Sequence, residues 1–70
     1  MGNQYENQEF RNVCDNLQMD REERSGFHRY LANHYGVEKD DMGYQELLVA
    51  GVEYLRQDVG REPPYQYRNL

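Results

Sequence analysis

Residues 43–55 read GYQELLVAGVEYL, and this stretch carries the clearest helical pattern of the chain. At about 100° per residue, its apolar residues collect on one side of a helix and its polar residues on the other. The apolar side comprises Tyr44, Leu47, Leu48, Gly51, Val52, Tyr54 and Leu55, and the opposite side comprises Glu46, Val49, Ala50, Glu53, Arg56 and Gln57. Gly43, followed three residues later by Glu46, is typical of a helix start. We predict a helix over 44–57, in which Gly51 lets a second helix approach closely.

A first helix is predicted over residues 6–17. Its apolar residues recur at i, i+3, i+4 and i+7, which places them on one stripe: Phe10, Val13, Cys14 and Leu17. Cys14 is therefore expected to be a small buried thiol and not a nucleophile. As the single cysteine of the chain, it cannot form an internal disulfide.

A second helix is predicted over residues 21–35. Asp20 and Glu23 have the spacing at which each side chain accepts a hydrogen bond from a free amide of the first turn. Gly36 suits the left-handed position that ends many helices. Gly26 is the weak interior position of this helix and costs about 1 kcal/mol relative to alanine.

Outside these helices the sequence has no helical period. Residues 1–5 are expected to be flexible. Residues 58–70 are expected to be an extended tail, because Gly60, Pro63 and Pro64 oppose helix formation. No alternating strand pattern appears, so we predict an all-α fold: one compact three-helix bundle spanning residues 6–57, with a Pro/Tyr-containing C-terminal tail.

The net charge and the hydropathy of the chain restrict the kinds of partner that it is expected to bind. Eight Lys and Arg residues against thirteen Asp and Glu give a net charge of -5, which repels phosphate backbones and disfavours nucleic acid. A helix-turn-helix reading is disfavoured because the exposed side of the third helix carries Glu46 and Glu53 against Arg56. No apolar run reaches the roughly 18–20 residues of a membrane span, and residues 1–10 lack a signal-peptide pattern. We expect a cytoplasmic chain without cofactor, binding a protein or a second copy of itself.

Both histidines lie in residues 27–36, FHRYLANHYG. A spacing of six places them roughly 120° apart around a helix, whereas two metal ligands on one helix need a spacing of three or four. No metal site is therefore predicted. His34 is expected to be a partly buried structural histidine beside Phe27. His28, at the rim with Arg24 nearby, is the alternative catalytic candidate of a small nuclease or hydrolase, with Arg24 as the anion contact.

Tyrosine is unusually frequent, at seven of the 70 residues. Three of them are expected in the core or at its margin: Tyr30, Tyr44 and Tyr54. Tyrosine gives large contact area with a polar end, which suits binding surfaces. The predicted partner surface therefore combines the loop tyrosines with the acidic linker: Tyr5, Tyr65, Tyr67, Asp40 and Asp41. The linker lacks the ligand spacing of a calcium loop.

Three stretches together resemble a short helical module found near the C-terminal ends of bacterial Rhs-type polymorphic toxins. They are NQEFRNVCDNL, ERSGFHRYL and GYQELLVAGVEYL. The positions that carry the resemblance are Phe10, Arg24, Phe27, His28, Gly43, Tyr44, Glu46 and Leu47. The resemblance implies a setting of bacterial competition, in which the chain is a toxin fragment, a structural tail of a toxin or a toxin-binding protein, secreted only as part of a larger toxin. It supplies no catalytic residues.

Two hypotheses about function follow. The first is a non-enzymatic protein-interaction module, which the net charge and the lack of converging polar side chains favour. The second is the small nuclease or hydrolase that uses His28 and Arg24. Nucleases that act on polyanions are usually basic, and this chain is acidic.

Overall fold

Three α-helices form the core of the computed structural model, which describes residues 8–36 and 41–70. Their bounds are Gln8–Asn16 for α1, Arg21–Tyr30 for α2 and Tyr44–Tyr54 for α3. α2 and α3 each continue directly into one π-helical turn, and a short 3-10 helix follows near the C-terminus: Leu31–Tyr35, Leu55–Val59 and Tyr65–Tyr67, respectively. The described residues contain no strand. The predicted all-α three-helix bundle is confirmed.

The helix starts are held by the predicted capping side chains. Asp20 Oδ1 accepts from the backbone N–H of Glu23 at 2.8 Å, and Glu23 Oε1 accepts from the N–H of Asp20 at 3.1 Å. At the start of α3, Glu46 Oε1 accepts from the N–H of Gly43 at 3.1 Å. The π-helical turn that extends α2 ends at Gly36, which has a left-handed φ of 68°. These caps satisfy backbone groups that a helix end would otherwise leave unpaired.

α1 ends in a turn that contains no glycine. Gln18 has a φ of 59°. The N–H of Gln18 donates to the carbonyl of Asp15 at 3.1 Å, and the N–H of Met19 donates to the carbonyl of Cys14 at 2.9 Å. This is the pair of hydrogen bonds of a Schellman motif. A non-glycine residue in this region costs roughly 1–2 kcal/mol, so the turn depends on the buried side chains at either side of it.

The core lies where α3 packs against both α1 and α2. Among the described residues, fifteen buried hydrophobic side chains form it, and they include the predicted stripe of α1: Phe10, Val13, Cys14 and Leu17. Four aromatic rings form a continuous row of contacts through the core. The distances between ring centroids are 5.3 Å for Phe10–Phe27, 5.6 Å for Phe27–Tyr54 and 5.4 Å for Tyr30–Tyr54. Ala50, predicted on the outer side, is fully buried. That placement was wrong because α3 has two neighbouring helices, so a wider arc of it is covered.

Two glycines allow the helices to approach closely. A Cβ added at Gly51 would lie 2.7 Å from Leu17 Cδ1 and 3.4 Å from both Phe27 and Val13, which confirms the role predicted for this glycine. A Cβ added at Gly26 would lie 2.1 Å from the hydroxyl oxygen of Tyr54. Gly26 is therefore a contact position between α2 and α3 and not only a weak point of its helix.

The C-terminal segment differs from the expected extended tail. The last turn of the third helix includes Asp58 and Val59, and the chain then folds back onto the bundle. The guanidinium of Arg61 donates to both carboxylate oxygens of Glu23 at 2.9 Å and to the carbonyls of Leu17 and Gln18 at 3.3 and 3.1 Å. This one side chain joins the segment to the end of α1 and the start of α2.

A second arginine holds the rest of the segment. Arg56 donates to Glu62 at 3.1 Å and to the backbone carbonyls of Arg68 and Leu70 at 2.6 and 3.0 Å. Pro63 is fully buried, and its carbonyl accepts from Nε of Arg68 at 3.0 Å. The segment after Gly60 is therefore part of the packed structure.

Candidate interaction groove

An open groove lies beside the start of α3, and we call it the α3 groove. Its volume is about 470 Å³, and its described lining residues are Tyr35, Asp41, Met42, Gln45, Glu46 and Val49. Met42 belongs to the buried core, whereas Tyr35 and Val49 are each 40% exposed. Met42 lies two residues before the start of α3, and Gln45, Glu46 and Val49 lie on the first two turns of that helix. Met42 and Val49 give the groove its apolar floor, and the described residues leave Val49 partly uncovered.

Tyr35 forms one wall of the groove and is held in place by α3. Its hydroxyl donates to Glu53 Oε1 at 2.6 Å. The same oxygen accepts from the hydroxyl of Tyr30 at 3.4 Å. The bond to Glu53, with burial and the negative charge adding to it, raises the pKa of Tyr35 to about 12. The pKa of Tyr30 is also raised, chiefly because burial disfavours the phenolate.

The charged residues at the groove are acidic. Asp41 is exposed. Glu46 is exposed as well, and within the described residues only its Oε1 takes part in a hydrogen bond, the one that caps α3 at Gly43. No Lys or Arg is among the described lining residues. The groove therefore combines an apolar floor with carboxylates at its edge.

The structure describes three of the five residues of the predicted partner surface, namely Asp41, Tyr65 and Tyr67. Tyr5 and Asp40 lie outside the described residues. Asp41 lines the α3 groove, whereas neither Tyr65 nor Tyr67 does. Tyr65 is 85% exposed, with the guanidinium carbon of Arg68 5.8 Å from its ring centroid. Tyr67 is partly buried and packs against the core, so most of its contact area stabilises the fold.

The alternative catalytic pair is only partly available. His28 is exposed, and its ring meets Phe10 edge-on at a centroid distance of 6.3 Å. Arg24 forms an ion pair with Asp15, and its Nε lies 3.5 Å from the carbonyl of Met19. Arg24 would have to exchange Asp15 for a substrate anion before it could act as predicted.

The helical spacing predicted a partly buried His34 beside Phe27, and the structure places this residue differently. It is exposed and stacks on Tyr30 at a centroid distance of 4.2 Å. The prediction assumed α-helical spacing throughout, but the chain passes through a π-helical turn from Leu31 onwards. Its i→i+5 hydrogen bonds widen the turn, and this change of phase moves His34 off the buried stripe.

Two further depressions are polar and mixed in charge. One, of about 670 Å³, is lined at the start of α2 by Asp20, Arg21, Glu22, Glu23, Ser25, Gly26, Arg29, Tyr54 and Val59. The other, of about 270 Å³, is lined by Gly26, Arg29, Tyr30, Asn33, His34, Tyr54 and Asp58. Neither has the apolar floor of the α3 groove. Over residues 8–36 and 41–70, no group of three His, Cys, Asp or Glu side chains is placed to hold a metal ion.

Sequence reasoning missed most of the α3 groove. Of its lining residues only Asp41 was singled out as a binding residue. The available signal was Val49, an apolar residue that the helical spacing placed among polar residues on the outer side of α3.

Known proteins give no further guide to this site. Comparison of the chain with known protein families, with curated proteins and with solved structures found no match. The resemblance to the Rhs-type toxin module stays a prediction. None of the helices in the described part of the chain has the length and apolar character needed to cross a membrane.

Proposed function

We propose that this chain is a non-enzymatic protein-interaction module that binds a partner protein through the α3 groove. The groove supports this proposal because it offers apolar area that the described residues leave partly uncovered, at Tyr35 and Val49, whereas the two further depressions described above are lined mainly by polar and charged residues. Apolar grooves with a few polar groups at the edge are the usual form of a binding site. The proposed setting is bacterial competition, as the resemblance to the Rhs-type module implies.

A pull-down from the source cell lysate tests the proposal. The tagged chain is compared with Val49→Arg, which places a charged, longer side chain in the groove. Val59→Arg is the matched control, because Val59 is 37% exposed against 40% for Val49 and lies outside the groove. Both positions are on the surface, so both variants should keep the wild-type circular dichroism spectrum.

We expect wild type and Val59→Arg to retain the same protein, with and without nuclease treatment, and Val49→Arg to lose it. Retention that vanishes with nuclease would indicate a nucleic-acid partner and contradict the proposal. Equal retention by all three proteins would show that the partner does not bind in the α3 groove. If no protein were retained at all, the proposal of an interaction module would itself be contradicted.

A further inference from the structure

Resting on the proposed function, we infer that the occupant of the α3 groove is a basic amphipathic segment of a partner protein. This segment places an aromatic or aliphatic side chain on the floor of the groove and a Lys or Arg at its acidic edge.

The apolar floor of the α3 groove favours an apolar side chain of the partner. Met42, just before α3, and Val49, on the second turn of that helix, both line the groove, and Tyr35 forms its wall. The bond from Tyr35 to Glu53 holds that wall in position before a partner arrives, which lowers the ordering cost of binding. A large apolar side chain that enters between the wall and Val49 would cover both of the exposed apolar surfaces.

The acidic edge of the α3 groove favours a positively charged side chain of the partner. Asp41 and the second oxygen of Glu46 are the charged groups available to a partner, and no described lining residue opposes them with a positive charge. Binding a neutral or acidic segment would desolvate these carboxylates without compensation, whereas a Lys or Arg would pair with them. The net charge of -5 acts in the same direction at long range, because it attracts basic partners and repels acidic ones.

Selection from a random peptide library displayed on phage tests this chemistry directly. The full chain is immobilised, the enriched peptides are sequenced, and the dissociation constant of a labelled enriched peptide is measured by fluorescence anisotropy. The groove variant is Val49→Arg and its control is Val59→Arg. The edge variant is Asp41→Asn with Glu46→Gln, which keeps the helix cap because a glutamine oxygen still accepts a hydrogen bond. Its control is Glu22→Gln, an exposed carboxylate outside the groove.

We expect enriched peptides with an excess of Lys and Arg and at least one aromatic or aliphatic anchor. Val49→Arg should weaken their binding about tenfold or more, because it fills and charges the floor. The edge variant should weaken binding by about two- to fivefold per charge and reduce its dependence on salt. Val59→Arg and Glu22→Gln should bind as the wild type does.

Each contrary result has its own meaning. Enriched peptides that are neutral or acidic, yet depend on Val49, would overturn the basic occupant and leave the groove as a binding site. Peptides insensitive to Val49→Arg, or no enrichment, would overturn the groove as the site of the segment, while the pull-down still decides whether the chain binds a protein. Self-association in sedimentation velocity that Val49→Arg abolishes would show that a second copy is the occupant, and would overturn the inference.

Discussion

At the scale of single residues, Glu53 has a structural role that its predicted position on the polar side of α3 did not indicate. Its carboxylate accepts hydrogen bonds from two tyrosines of the preceding helix, Tyr30 and Tyr35. These bonds connect the end of the π-helical turn to α3 and orient the wall of the α3 groove. They also oppose ionisation of Tyr35, whose pKa is raised to about 12.

Replacing Glu53 with glutamine should lower the pKa of Tyr35 towards its ordinary value of 10.0, because the amide carries no negative charge. A tyrosine whose pKa is raised on folding stabilises the protein below pH 10.0, and this contribution is lost as the pH rises through about 12. The wild type should therefore lose stability over that window, and Glu53→Gln should lose less. Titration of the tyrosine ζ carbons by NMR gives the pKa. An unchanged pKa for Tyr35 in Glu53→Gln would contradict the assignment, and Glu22→Gln should leave it unchanged.

At the scale of helices, the distance between α2 and α3 is set at Gly26. The hydroxyl of Tyr54 occupies the space that a side chain at this position would need. The ring of Tyr54 cannot move freely, because it packs between Phe27 and Tyr30 at centroid distances of 5.6 and 5.4 Å. A larger residue at Gly26 must therefore push the two helices apart.

Gly26→Ala should destabilise the protein by about 1–3 kcal/mol, although alanine alone favours a helix by about 1 kcal/mol over glycine. Urea denaturation measures the change. Ser25→Ala is the control, because Ser25 is exposed in the same helix, and we expect a change within about 0.5 kcal/mol. Tyr54→Phe in the Gly26→Ala background removes the clashing hydroxyl and should restore part of the loss. If Gly26→Ala alone kept the wild-type stability, the packing of α2 against α3 would tolerate a side chain at this position, and the prediction would be contradicted.

At the scale of the whole molecule, Arg61 joins the C-terminal segment to α2 through its ion pair with Glu23, and to the end of α1 through the carbonyls of Leu17 and Gln18. Arg61 lowers the pKa of Glu23 below its ordinary value of 4.5, chiefly through its hydrogen bonds to the carboxylate. Glu23 raises the pKa of Arg61 in return. The Glu23 side chain is only 16% exposed, so water screens this pair less than it screens a pair on the open surface.

Lowering the pH should therefore reduce the stability of the folded protein, because it protonates Glu23. A carboxyl whose pKa is lowered on folding stabilises the protein above its ordinary value of 4.5, and this contribution is lost as the pH falls through the lowered value. Glu23→Gln should cost about 1–2 kcal/mol at pH 7 and should lose less further stability between pH 5 and pH 3 than the wild type does. Thermal unfolding followed by circular dichroism at several pH values measures both effects. Glu22→Gln should follow the wild-type curve, and parallel curves for Glu23→Gln and wild type would contradict the prediction.

The sequence alone determined the features that depend on residues within one or two helical turns of each other. Asp20 with Glu23, Gly43 with Glu46, and the left-handed Gly36 are local arrangements, so their spacing predicted where helices start and end. The apolar stripes predicted the three-helix bundle for the same reason, since burial of one helix face follows from its own period. The left-handed turn at Gln18, just after α1, was not predicted, because no glycine marks this position.

Only the tertiary structure decided the features that join distant parts of the chain. Arg61 reaches Glu23 across 38 positions, and Tyr35 reaches Glu53 across 18. No local spacing predicts such pairs, because they depend on how the helices pack and on which arc of each is left uncovered. The burial of Ala50, the contact of Gly26 with Tyr54 and the exposure of Val49 are of this kind. The α3 groove is therefore a property of packing: its residues come from the end of the second helical segment and the start of the third, and only the folded chain brings them together.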